Sequence, residues 1–170
     1  MTRPRDAEHD THARVDPDDD LGRASVWQDL VLATHLLETA LDRQSQRDGG
    51  VSHGHFKILV LLHAAESHTL GLKSLAETLR FSPSRISHAV TALEHQGLVV
   101  RRPATGGRRA YDAVLTADGR RVVGRVLRSQ RREIRDPLLE ELGGLGTAAL
   151  GDLSARIIGL LDGGARPPQG

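Results

Sequence analysis

Residues 75–116 read LAETLRFSPSRISHAVTALEHQGLVVRRPATGGRRAYDAVLT. A short helical segment, a tight turn, a second helix with one polar face and an arginine-tipped hairpin follow one another there without a gap. Few architectures accept that order. It predicts a helix-turn-helix followed by a β wing, which sets a helix sized for a duplex major groove beside a cationic loop able to reach the flanking backbone or minor groove.

The second helix of the pair is the most sharply marked element. Ser82 is a good N-cap, and Pro83 occupies the first helical position, where its missing N–H costs nothing. The pattern runs to Gln96, and Gly97 supplies a left-handed terminator with Leu98 placed to pack back on the helix. Ile86, Ala89, Val90 and Leu93 form an inward stripe, whereas Ser84, Arg85, Ser87, His88, Thr91 and His95 point the other way. Residues 98–102 and 110–115 suit two short strands, joined by the glycine-containing turn 103–109 with Arg108 and Arg109 at its exit.

Helical patterns flank this core. Ser25 and Gln28 form a capping-box pattern opening a helix whose apolar residues Trp27, Leu30, Val31, Leu37 and Leu41 make one buried stripe, ended by Gly49 and Gly50. A second helix starts at Ser52 and carries Phe56, Ile58, Leu59 and Leu62; a loop over 66–71 leads to the helix 72–79. After the wing, Thr116 caps a long helix with Val122, Val123, Val126 and Leu127 on one side. Pro137 bends it or starts it anew after Asp136. A last helix is expected near Thr147 with Leu150, Leu153, Ile157, Leu160 and Leu161. The first and the last two helices have more apolar stripe than a small winged domain can cover. A second copy of the chain is the expected mate, and an intrachain bundle is the alternative.

Net charge is +1, but it is unevenly spread: residues 83–135 hold twelve arginines against four acidic residues. A polyanion partner is implied for that segment, against the plainer reading of a solvated arginine face. Residues 1–24 are polar and acidic, with Asp16, Asp18, Asp19 and Asp20, and are expected to be a disordered arm. Apolar residues make up 38% of the chain and aromatics 2%, which favours helix-on-helix packing. The fold expected is therefore mainly α with a small β-hairpin: a winged helix-turn-helix lobe over 52–116, with N- and C-terminal dimerisation helices over 25–50 and 116–162.

The chain has no Cys, which excludes disulfides, thiolate zinc sites and cysteine redox sensing. Its only Met is Met1, so methionine oxidation offers no internal sensor. No run of about 18 apolar residues and no apolar signal core is present, so the expectation is a cytoplasmic protein without a membrane partner. No glycine-rich phosphate loop, nucleophile or acid–base constellation argues for an enzyme. Of the histidines, His53 and His55 stand two apart at a helix start with no further ligands to complete a metal shell. No cofactor and no metal are expected.

LAETL, SPSRISHAVTALEHQGLVVRR and GRRAYDAVLTADG, in that order, resemble the MarR family of bacterial transcriptional regulators. The resemblance covers roughly residues 25–162, and its specific part is 75–119. It implies a homodimer that binds a pseudo-palindromic operator and releases it when a small ligand binds between the dimerisation helices and the DNA-binding lobe. There is one departure. Gly107 stands where the family's wing has an Asp two residues before a key Arg, here Arg109, which predicts a more mobile wing with Arg109 paired elsewhere or free for DNA.

On this reading Ser82, Ser84, Arg85, Ser87, His88 and Thr91 face the groove, with Arg85 the candidate for a guanine edge and the hydroxyls for phosphate or secondary base contacts. Arg108 and Arg109 suit a narrow minor groove. His35, Phe56 and His63 are the candidate effector-binding residues. The competing function is an architectural winged helix that binds double-stranded DNA without sequence choice.

Overall fold

The computed structural model describes residues 20–104 and 111–163. The chain divides into two compact units, residues 1–40 and 41–170.

In the first unit the described residues are helical, forming the greater part of α1 (Asp20–Gly49). The helix opens five residues before the expected cap, so Ser25 stands inside it and caps nothing. The stripe expected to be buried is uncovered in the single chain: Trp27 is 64% exposed and Val31 50%. Thr34 and Thr39 turn their hydroxyls back to the carbonyls of Leu30 and His35, both at 2.8 Å.

The second unit begins with the last turns of α1, which stop at Gly49 because Gly50 takes φ +68°. α2 (His53–Ala64) is capped by Ser52, whose hydroxyl accepts the His55 N–H at 3.2 Å. Its Phe56, Ile58, Leu59 and Leu62 are buried. The segment expected as a loop then holds a 3₁₀ turn and a strand, β1 (Thr69–Gly71). α3 (Leu72–Leu79) and α4 (Pro83–His95) follow as the helix-turn-helix pair. β2 (Val99–Pro103) and β3 (Tyr111–Leu115) form the wing. β3 is central in an antiparallel sheet of order β1-β3-β2, with Leu70 and Arg101 both opposite Ala113. The expected hairpin is thus a three-stranded sheet. Three-residue β1 carries too little alternation to be read as a strand, and only the neighbouring β3 makes it one.

α4 ends as expected: Gly97 has φ +71°, and the Leu98 N–H returns to the Leu93 carbonyl at 3.0 Å, closing a Schellman turn. Phe56, Leu59, Leu62, Leu75, Ile86, Leu93, Val99 and Val123 meet in one core, each no more than 2% exposed. Burial of such side chains contributes roughly 1.5–3 kcal/mol apiece, so this cluster is what holds the two helices and the wing as one lobe.

α5 (Ala117–Gln130) is capped by Thr116, whose hydroxyl accepts the Gly119 N–H at 3.0 Å. Val122, Val123 and Val126 are buried, while Leu127 lies outside the core at 39% exposure. A π-helical turn, Arg131–Arg135, separates α5 from α6 (Asp136–Gly163). Pro137 explains it. The proline has no N–H to give the Glu133 carbonyl four residues back and its ring crowds that carbonyl, so the ladder widens locally and Asp136 N–H bonds Arg131 instead. α6 starts directly at Asp136, and a break at Gly143, with φ +62° and ψ −178°, divides it four residues before the Thr147 start expected for the last helix.

A polar network within this unit ties the end of α1 to α5 and the π turn. Gln44 donates to Asp48 at 2.8 Å and to the Val126 carbonyl at 3.2 Å; Ser129 donates to Asp48; Arg47 pairs with Glu133; Arg125 reaches the Asp48 carbonyl at 2.5 Å. Hydrogen bonds from Arg47, then Ser129 and Gln44, hold the Asp48 carboxyl far below the usual range, and hydrogen bonds to Asp48 and Glu133 raise Arg47.

Along α6, Leu145 is 92% exposed, and Leu160 and Leu161 are 77% each. By length and composition the helical run 117–162 includes a stretch apolar enough to cross a membrane, none of it buried. This qualifies the expectation drawn from the apolar runs alone. Its exposure is equally that of a helix lacking a packing partner.

Candidate nucleic-acid interface

α4 presents the candidate surface because its apolar stripe is wholly used inward: Ile86, Val90 and Leu93 are 0% exposed and Ala89 7%. What remains outward is the polar set. Ser82 caps the helix by accepting the Arg85 N–H at 3.3 Å and meets the Ser84 hydroxyl at 3.1 Å. Ser82, Ser84, Arg85 and His88 are exposed, whereas Ser87 and Thr91 are half-buried. The two serine hydroxyls at the N-terminus of α4 form a compact cluster suited to a phosphate oxygen.

Arg85 is not an extended arm. Its guanidinium lies 3.7 Å from the centre of the Phe81 ring. Stacking of this kind holds the planar fork at a fixed height while leaving its edge donors free. Beside it runs a groove of about 500 Å³ lined by Ser52, Gly54, His55, Arg85, His88 and Ala92, among others. Burial there pushes the His55 imidazole below its ordinary value, favouring the neutral ring.

The half-buried residues are engaged by the protein itself. The Thr91 hydroxyl donates to the Ser87 carbonyl at 2.9 Å and accepts from Arg101 Nη2 at 2.6 Å. Arg102, next on the strand, is exposed. Of the two strand arginines, one therefore faces the helix and one faces solvent. Arg108, Arg109 and the Gly107 departure lie outside the described residues.

The post-wing arginines are mostly matched within the chain. Arg121 pairs with Asp118, Arg131 with Asp136 at 3.2 Å, Arg132 with Glu133 at 2.7 Å and Arg135 with Asp136 at 2.8 Å. Beside the α4 face, Arg85 and Arg102 are exposed cations.

The candidate effector residues differ in exposure. Phe56 is 2% exposed in the lobe's core. His63 is exposed near the end of α2, stacked on His68 with ring centres 5.5 Å apart. His35 is exposed in the first unit. Among the described residues no group of three or more His, Asp or Glu stands close enough to hold a metal ion. Phe81, Glu94 and Arg101 were missed by sequence reasoning. An aromatic just before the helix cap and an arginine at the middle of β2 were the available signals.

A three-helix lobe with an antiparallel wing and an exposed polar helix face defines a winged-helix DNA-binding protein. The sequence pattern of the MarR family matches residues 51–111. A MarR family transcriptional regulator from Streptomyces coelicolor, solved in complex with DNA, is similar with a TM-score of 0.79 and 30% identity, over 88% of this chain and 91% of that one. AbsC, a MarR family regulator from the same organism, has a TM-score of 0.72 and 27% identity over 85% and 97% of the two chains. The HTH-type transcriptional regulator PrsX of Escherichia coli is 29% identical over 87 residues, 51% of this chain and 52% of PrsX. The chain thus spans about half the length of the curated relatives it matches. The protein belongs to the MarR family of transcriptional regulators.

Proposed function

We propose that the protein is a homodimeric, sequence-specific repressor that reads a pseudo-palindromic operator with one α4 helix per half-site and releases it on binding a small effector. The observation that carries this reading is the division of α4 into a fully buried stripe and an outward face of Ser84, Arg85 and His88. In a groove, Arg85 addresses a guanine edge, Ser82 and Ser84 hold phosphate, and Arg108 and Arg109 enter the minor groove from the wing. A duplex with two-fold symmetry suits two such helices about one turn apart.

The dimer is supported by the exposed leucines and isoleucines of α6 and, separately, by the exposed apolar side chains of residues 21–37, which a monomer leaves in water. We assign residues 25–50 and 116–162 to the dimer scaffold, 52–116 to the DNA-binding lobe and 1–24 to an acidic arm that screens the basic surface. Release is a population shift in which the effector prefers a helix spacing that does not fit DNA. His35 and His63 are the effector contacts in this reading. Phe56 sits in the core, so its contribution is to pocket shape through packing.

Selection of genomic duplexes by the purified protein, with affinity followed against salt, tests the proposal. An enriched inverted repeat bound by one dimer, well above random DNA at moderate salt, is the expected result. Equal binding to all duplexes, lost together as salt rises, would make it an architectural protein.

A further inference from the structure

We propose that Arg101 is a positioning residue that locks the recognition helix α4 to the first wing strand, and that Thr91 belongs to this lock and reads no base. The inference rests on the reading that α4 enters a DNA groove. Arg101 Nη2 donates to the Ser87 carbonyl at 2.5 Å and to the Thr91 hydroxyl at 2.6 Å. Its backbone N–H donates to Glu94 Oε1 at 3.1 Å, and its Nε lies 3.8 Å from Glu94 Oε2. Ser87, Thr91 and Glu94 fall at successive four- and three-residue spacings, so one strand residue grips one ridge of α4 over two turns.

The other side of the lock is equally fixed. Arg101 is paired in register with Ala113 of β3, which is fully buried. Rotating the wing against α4 would break two charge-assisted bonds and leave the guanidinium, only 24% exposed, short of partners. Two consequences follow. The depth of α4 in the major groove and the reach of the wing along the backbone are set together, so the wing can follow only one register of the helix. The Thr91 hydroxyl, its one proton given to Ser87 and one lone pair to Arg101, has no donor left for a base edge, which leaves base reading to Arg85 and His88 in the first two turns.

Arg101→Met keeps the apolar stem and removes the fork, and Thr91→Val removes the hydroxyl alone. Hydrogen exchange of the full chain without DNA is expected to quicken about tenfold over Val99–Pro103 in Arg101→Met, with the core amides unchanged. On the duplex selected by the wild type, the same variant is expected to lose about tenfold in affinity with an unchanged slope of log K against log salt. Its hydroxyl-radical protection should fade at the wing and persist at the major groove. Thr91→Val should rank single-base operator variants as the wild type does. A slope reduced by about one would make Arg101 a phosphate contact and overturn the proposal. So would a changed base ranking in Thr91→Val, or unaltered exchange in Arg101→Met. If the wild type bound no duplex at low salt, the functional reading would fall, and the exchange result would still judge the lock.

Discussion

The guanidinium of Arg85 rests on the ring of Phe81 at 3.7 Å, at the entrance of the recognition helix. The aromatic is the last residue before the Ser82 cap, so the turn between α3 and α4 itself provides the platform for the cation that faces the groove. Flexible arginines lose rotamer entropy on binding; one already stacked loses less.

Replacement of Arg85 by Ala is expected to reduce affinity for the preferred duplex more than for random DNA, with about 1–3 kcal/mol of discrimination lost. Phe81→Leu should retain the fold and lose part of the same discrimination, up to about 1 kcal/mol, because the fork is no longer held. Fluorescence anisotropy on both duplexes measures this. Equal losses on the two duplexes for Arg85→Ala would make the residue a phosphate clamp.

Gly119 lies where the first turn of α5 crosses the end of α4. A Cβ there would stand 2.3 Å from the Leu98 carbonyl oxygen and 2.5 Å from Leu115 Cδ1. The obstructing oxygen is backbone and already accepts the Thr116 N–H at 3.1 Å, so it cannot yield cheaply. Gly119→Ala should destabilise the protein by about 1–3 kcal/mol, read as a lower urea midpoint with an unchanged m-value.

The Asp48 network has a defined pH signature. The Asp48 carboxyl is depressed in the fold, foremost by its hydrogen bond with Arg47, and Glu133 is depressed by Arg132, Arg47 and Ser129. A depressed carboxylate stabilises the fold above its unfolded value, near about 4, and that contribution fades as pH falls toward the folded value. Asp48→Asn should therefore melt below the wild type at neutral pH, and the gap should narrow as the pH drops under about 4. A gap that stayed constant through that window would mean the network does not act through charge.

The uncovered face of α6 makes a prediction about assembly. Leu153 is 54% exposed and Ile157 36% in the single chain. Leu153→Glu with Ile157→Glu should shift sedimentation from dimer toward monomer and weaken operator binding with it, since two half-sites are no longer engaged together. A wild type that sediments as a monomer at micromolar concentration would remove the dimer from the proposal.

Much of this protein is local and so could be read from its residues. Ser82, Pro83 and Gly97 mark the two ends of α4 through capping and backbone geometry alone, and the spacing of Ile86, Ala89, Val90 and Leu93 settles which face is buried. These signals act within one or two turns, where sequence distance and spatial distance agree. The break at Pro137 was equally legible, because a missing N–H has the same effect in any tertiary setting. Strand β1 was not, since Thr69–Gly71 is extended only because β3 lies beside it. Ser25 looked like a cap but is helix interior: a capping pattern is a permission, and residues before it had their own reasons to stay helical. The Arg101 grip on Ser87 and Thr91 and the tie from Asp48 to Ser129 join residues 10 to 81 positions apart. Local chemistry decided where α2, α4 and α5 begin and which faces are apolar; only the packed chain decided which polar groups meet, because hydrogen-bond partners are chosen by distance in space.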